Sequence, residues 1–194
     1  MKVCLLTGFE PFLNFPKNPT EEVVKVLDGQ TINDFTIVGH VLPVTYQEAG
    51  HKLVQLIEEV KPDAIVMLGL AAGRFKITPE RIAINVNDGA KDNNGVAYVD
   101  HTIVEAGWDG YFSTLPIRKM IDTLIANGFP AEVSNSAGTY VCNHVMYTAL
   151  HYGKVQAGFI HIPASHELAI IHGNVPSWSQ RDLNEAIKIC IQCL

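Results

Sequence analysis

The chain alternates between two hydrophobic periods. Residues 2–8 (KVCLLTG) and 63–70 (DAIVMLGL) are short apolar runs, the pattern of strands buried on both faces. Residues 35–44 (FTIVGHVLPV) and 157–163 (AGFIHIP) also read as strands, the latter closed by Pro163. Residues 81–87 (RIAINVN) alternate as a half-buried strand does, and 131–136 (AEVSNS) read as a short one. Helical spacing appears between them. Residues 46–60 carry Leu53, Leu56, Ile57 and Val60 on one face. Residues 18–29 offer Asn18 as N-cap, Pro19 in the first turn and Gly29 as a stop. Residues 115–128, 138–153 and 179–194 complete the helices, the last capped by Ser179. Residues 88–110 are rich in Gly, Asn and Asp and keep no period, which predicts a long surface loop holding one hairpin. Loops of that length usually cover or build a site.

This order predicts a single α/β domain over residues 1–194, with a mostly parallel sheet covered by helices on both faces. Such sheets bind ligands outside the C-terminal ends of their strands. The segments TGFEPF, GLAAGR and HIP each follow a predicted strand, so they should gather at that edge.

Composition narrows the function classes. A net charge of -6 argues against nucleic acid as the main partner. No apolar run approaches the roughly 20 residues that cross a bilayer, so no membrane partner is expected. The N-terminal apolar run stops at Gly8 without a small-residue cleavage site and reads as a buried strand. A cytoplasmic protein is the expectation. Cys190 and Cys193 form a C-x-x-C that closes a helix, where a redox pair should open one. They read as helix-face residues. No zinc-finger spacing is present, and GLAAGR matches neither glycine-rich nucleotide pattern. Neither a metal nor a cofactor is expected.

Cys142 remains. It follows SNSAG, a helix start, and falls in the first turn. There the unpaired N–H groups and the helix dipole should lower its thiol pKa towards neutral and could hold an oxyanion. A buried structural cysteine is the other reading of the same position. A nucleophile needs a base, and there are eight histidines. His161 ends the strand directly after the Cys142 helix, at the expected ligand edge; His166 is its rival. A third group should orient the imidazole. Glu80 begins the alternating strand and is the leading candidate; a surface pairing with Arg74 or Arg81 is the competing account, and Asp63 and Asp88 are weaker choices. Phe9 and Phe12 flank Pro11 after the first strand and can form an apolar slot.

The segments TGFEPF, NPT, LPV, ITPERIAIN, YFSTLP, SNSAGTYVCN and GFIHIP occur in this order over residues 1–163. Together they resemble the pyroglutamyl peptidase I (pyrrolidone carboxyl peptidase) family of cysteine peptidases. Beyond residue 163 only PSW and a last helix look similar. The resemblance implies an α/β/α sandwich with an open, twisted, mostly parallel sheet (phosphorylase/hydrolase-like). It implies removal of N-terminal pyroglutamate from peptides, without cofactor or metal, by a homodimer or homotetramer. It assigns the nucleophile to Cys142, the histidine to His161 and the acid to Glu80. It places ring-binding aromatics at Phe9 and Phe12, with Tyr140 and Val141 completing the pocket. One departure stands out. The family segment like D-A-R-I-P-D-N reads DGAKDNNG here (88–95), without its arginine. Lys91 is a flexible point charge where the family has a planar fork.

Overall fold

The apolar runs at 2–8 and 63–70 pair in parallel at the centre of one sheet. The structure, a computed structural model, describes residues 1–153 and 155–194. In chain order it runs β1 (Lys2–Phe9), α1 (Pro19–Leu27), β2 (Thr31–Ile32), β3 (Phe35–Leu42), α2 (Tyr46–Val60) and β4 (Ala64–Leu70). Next come β5 (Thr78–Pro79), β6 (Ile82–Ile84), β7 (Gly110–Phe112), α3 (Ile117–Ala126) and α4 (Val141–Tyr152). The chain closes with β8 (Gln156–Ile162), β9 (Ala164–Ser165), α5 (His166–His172), β10 (Ser177–Trp178) and α6 (Gln180–Gln192).

The main sheet has the order β2-β3-β1-β4-β8-β5. Its four inner strands are parallel; β2 and β5 are antiparallel edges. Every residue of β4 is buried, so its alternate side chains feed two cores. Ala64, Val66 and Leu68 meet α1, α3 and α6 on one face. Ile65 and Met67 meet α2 and α4 on the other. The result is an α/β/α sandwich, as expected. Each large apolar side chain closed between the layers contributes about 1.5–3 kcal/mol. The expected caps form: Asn18 accepts from the Thr20 N–H at 3.1 Å, and Ser179 from the Asp182 N–H at 3.1 Å.

Three elements differ from expectation. The strand expected at 131–136 is reduced to single bridges, Ala131 to Ile77 and Ser134 to Glu80. The segment still runs alongside residues 77–81 through backbone hydrogen bonds, with the Glu132 N–H donating to the Ile77 carbonyl at 3.1 Å and the Ser134 N–H to the Pro79 carbonyl at 3.0 Å. The alternating segment 81–87 keeps only β6, which pairs with β7 in a separate hairpin. The hairpin expected within 88–110 is therefore built across that loop, which an isolated bridge between Asn87 and His101 also pins. Residues 164–178, which show no clear period, hold β9, α5 and β10.

Candidate active site

The parallel strands set the position of the site. Gly69 of β4 lies in register with His161 of β8, and Leu70 with Ile162, so both strands end together. Helix α4 leads into β8 and runs back along the sheet, which brings its first turn to those strand ends. Cys142 is the second residue of that helix. The N-cap, Tyr140, makes no side-chain hydrogen bond to the first turn, so the N–H groups there have no capping oxygen. Asn143, fully buried, fixes the helix start. Its Oδ1 accepts from the Ile84 N–H at 2.9 Å, and its Nδ2 donates to the carbonyls of Ile84 and Val86 at 2.8 and 2.9 Å.

A cradle without a side chain brings sulfur and imidazole strand together. A Cβ at Gly69 would stand 2.6 Å from the Phe159 ring and 3.0 Å from Cys142 Sγ. The thiol thus packs over Gly69, the register partner of His161. Gly69→Ala should push both groups aside. A displacement of that size costs about 100-fold in kcat, and the overpacking about 1–3 kcal/mol of stability. Steady-state kinetics and a urea melt measure both; a variant with native kcat would refute the cradle.

His161 and Glu80 form a buried pair. His161 Nδ1 lies 2.7 Å from Glu80 Oε1, and the two residues are 6% and 0% exposed. Edge strand β5 explains the contact. Thr78 and Pro79 pair antiparallel with His161 and Ile160, and the Glu80 N–H donates to the Phe159 carbonyl at 2.8 Å. Arg74 Nη1 donates to the same Glu80 oxygen at 2.9 Å and to Thr78 Oγ1 at 2.7 Å. With Glu80 accepting at Nδ1, the imidazole presents Nε2 as its basic atom.

The electrostatics at sulfur correct one expectation. The helix start was expected to lower the Cys142 pKa towards neutral. Burial of the thiol instead pushes it up to about 12, with the Glu80 charge adding to the rise. The Cys142 N–H and Arg74 act in the opposite direction and do not offset it. The resting thiol is therefore protonated and must lose its proton to a base.

Beside the thiol lies a small apolar pocket. Phe9, Phe12, Tyr140 and Val141 all line it, together with Cys142. Asn18, Val44 and Leu70 complete the wall. Phe9 is buried against Phe159, with centroids 6.4 Å apart. The ring facing Phe12 is that of Tyr140, 6.5 Å away between centroids. Residues 88–91 support this wall: the Asp88 N–H donates to the Thr139 carbonyl at 2.9 Å, and Tyr140 OH to the Lys91 carbonyl at 3.2 Å.

The alternatives fall elsewhere. His166 is exposed and bonds Ser177 Oγ at 2.9 Å. Asp63 accepts from the Val3 N–H at 2.8 Å, at the opposite edge of the sheet. Arg81 Nε donates to Asn135 at 2.7 Å. Glu80 does pair with Arg74, yet the carboxylate is buried and also holds His161, so the two accounts of Glu80 hold together. Of the two arginines that the sequence offered as partners for Glu80, the structure selects Arg74, four residues past the apolar run 63–70.

Comparison with known proteins gives the family of the chain. The family model described as pyroglutamyl peptidase matches residues 1–194, so the likeness extends past residue 163 to the end of the chain. Pyrrolidone-carboxylate peptidase of Oceanobacillus iheyensis is 56% identical over 199 residues, covering 100% of both chains. That of Halalkalibacterium halodurans is 52% identical over 196 residues, covering 98% of each. A mutant pyrrolidone carboxyl peptidase from the hyperthermophile Pyrococcus furiosus superimposes with a TM-score of 0.95 at 43% identity, covering 98% of this chain and 97% of that one. Pyrrolidone carboxyl peptidase from Thermococcus litoralis gives 0.95 at 40% identity, covering 100% and 93%. With the match running the full length of the chain, this protein belongs to the pyroglutamyl peptidase family.

Proposed function

We propose that residues 1–194 act as one cysteine peptidase that removes N-terminal pyroglutamate from peptides through a thioester acyl-enzyme. The observation that carries this reading is Cys142 at an uncapped helix start, lining an apolar pocket and packed over Gly69, the register partner of His161. The pocket takes the lactam ring. His161 Nε2 takes the Cys142 proton as Sγ attacks the carbonyl that joins pyroglutamate to the next residue. First-turn N–H groups of α4 hold the oxyanion. Collapse of the intermediate breaks the C–N bond, and His161 gives its proton to the leaving amine. Water, activated by the same imidazole, then hydrolyses the thioester and restores the thiol. Glu80 fixes the tautomer and stabilises the imidazolium formed in each half-reaction.

Specificity follows from the lining. A pyroglutamyl ring is neutral and fits an apolar wall, its N–H and C=O pairing with main-chain groups. An N-terminal glutamine would bring an ammonium into the same wall without a partner, at a cost of several kcal/mol. Fluorophore release from a pyroglutamyl amide should therefore exceed that from the glutaminyl amide by about 10³-fold in kcat/KM, or about 4 kcal/mol. Equal rates would sink the reading. The DGAKDNNG segment favours one second reading, a thiol amidase for another small lactam or amide. A substrate panel in which such an amide outruns the pyroglutamyl one would establish it.

The family resemblance extends this reading to a homodimer or homotetramer. Exposed Val99, Trp108 and Phe112 are apolar residues that such assembly could cover. A cytoplasmic location fits four unpaired cysteines. Among the described residues no helix is long and apolar enough to cross a membrane.

A further inference from the structure

We propose that Arg74 is a positioning residue for this reaction, holding the Glu80 carboxylate aimed at His161. The inference rests on the peptidase reading above and adds a fourth group to its proton relay. Arg74 closes the turn after β4, its N–H donating to the Ala71 carbonyl at 2.8 Å. Its side chain then reaches across to the edge strand. Thr78 and Glu80 stand two residues apart in an extended segment, so both point to one face. Arg74 Nη1 takes both at once, at 2.7 Å and 2.9 Å.

The same segment carries the histidine. Thr78 is the register partner of His161, and its Oγ1 donates to the His161 carbonyl at 3.4 Å. Arg74 therefore ties together the backbone that presents the imidazole and the carboxylate that orients it. The carboxylate depends on this contact. Glu80 is 0% exposed, its Oε2 has no hydrogen-bond partner, and Oε1 serves both Arg74 and His161. Arg74 is the one Lys or Arg side chain, among the described residues, in an ion pair with it. An exposed ion pair would contribute little. A fully buried carboxylate is different: removing its cation leaves an anion without compensation, facing only an imidazole. Arg74 also lends positive charge towards Cys142, against the Glu80 charge.

The test uses Arg74→Met, Arg74→Lys and Glu80→Gln in the full chain. Two readouts are taken: kcat and KM for a pyroglutamyl amide, and the downfield proton NMR signal of the hydrogen-bonded His161 Nδ1–H without substrate. Arg74→Met should lower kcat by at least about tenfold and leave KM within about twofold. Its Nδ1–H signal should shift or vanish as it does in Glu80→Gln. Arg74→Lys should recover part of both. A folded Arg74→Met with an unaltered signal or with wild-type kcat overturns the proposal. If Arg74→Met does not fold, Arg74→Gln is judged by the same two criteria. An inactive wild type would defeat the peptidase reading, and the NMR signal would still decide the role of Arg74.

Discussion

Cys142→Ala should retain the fold and lose pyroglutamyl amide hydrolysis by about 10⁴–10⁶-fold, the range seen when a nucleophile that works as a unit with its base is removed. The expectation follows from geometry. The sulfur sits over the Gly69 cradle, at a helix start with no capping side chain, and lines the apolar pocket. Nothing else near the pocket can replace it. Cys4 and Cys190 are fully buried, and Cys193 Sγ donates to the Ile189 carbonyl in the α6 core. Burial pushes the Cys4 thiol up to about 12 as well, so it offers no rival nucleophile. Truncating a small partly exposed side chain should move the melting temperature little. Activity within tenfold of wild type in Cys142→Ala would remove Cys142 from the mechanism.

His161→Ala should cost a similar factor in kcat and also expose the proton economy of the site. Only a thiolate reacts with iodoacetamide. With the Cys142 thiol held at about 12 by burial, its ionised fraction is very small at pH 7. The sign is clear: raising the pH removes the thiol proton. Alkylation of Cys142 in the variant should therefore climb about tenfold per pH unit from pH 7 towards that value. In the wild type His161 can take the proton as the sulfur attacks, so alkylation at neutral pH should be faster than in the variant. The opposite outcome, a variant alkylated at pH 7 as fast as wild type, would mean that the helix start ionises the sulfur unaided. It would also withdraw the general-base role from His161.

Much of this was legible in the sequence because strand and helix periods are local. The runs at 2–8 and 63–70 are apolar throughout, and the centre of a parallel sheet is where such runs are buried. The caps at Asn18 and Ser179 are equally local, each a side chain bonding an N–H two or three residues on. Cys142 could be placed near a helix start, and His161 at a strand end, by the same reasoning. The family segments joined these into a site.

Other features came only from the folded chain. Whether Glu80 is a surface ion or a buried partner of His161 turns on β5 pairing antiparallel with β8, a contact between residues about eighty positions apart. The strand expected at 131–136 is present only as single bridges to Ile77 and Glu80, partners distant in the sequence. The thiol pKa went the other way from the helix-start argument. A dipole is a property of one helix, whereas burial is a property of everything packed around it. The alternation of elements and the helix caps are legible along the chain, since each depends on neighbours within a few residues. The tertiary structure alone decided the partner of Glu80, the acidity of Cys142 and the place of Arg74, because those depend on charge and burial brought together from distant segments.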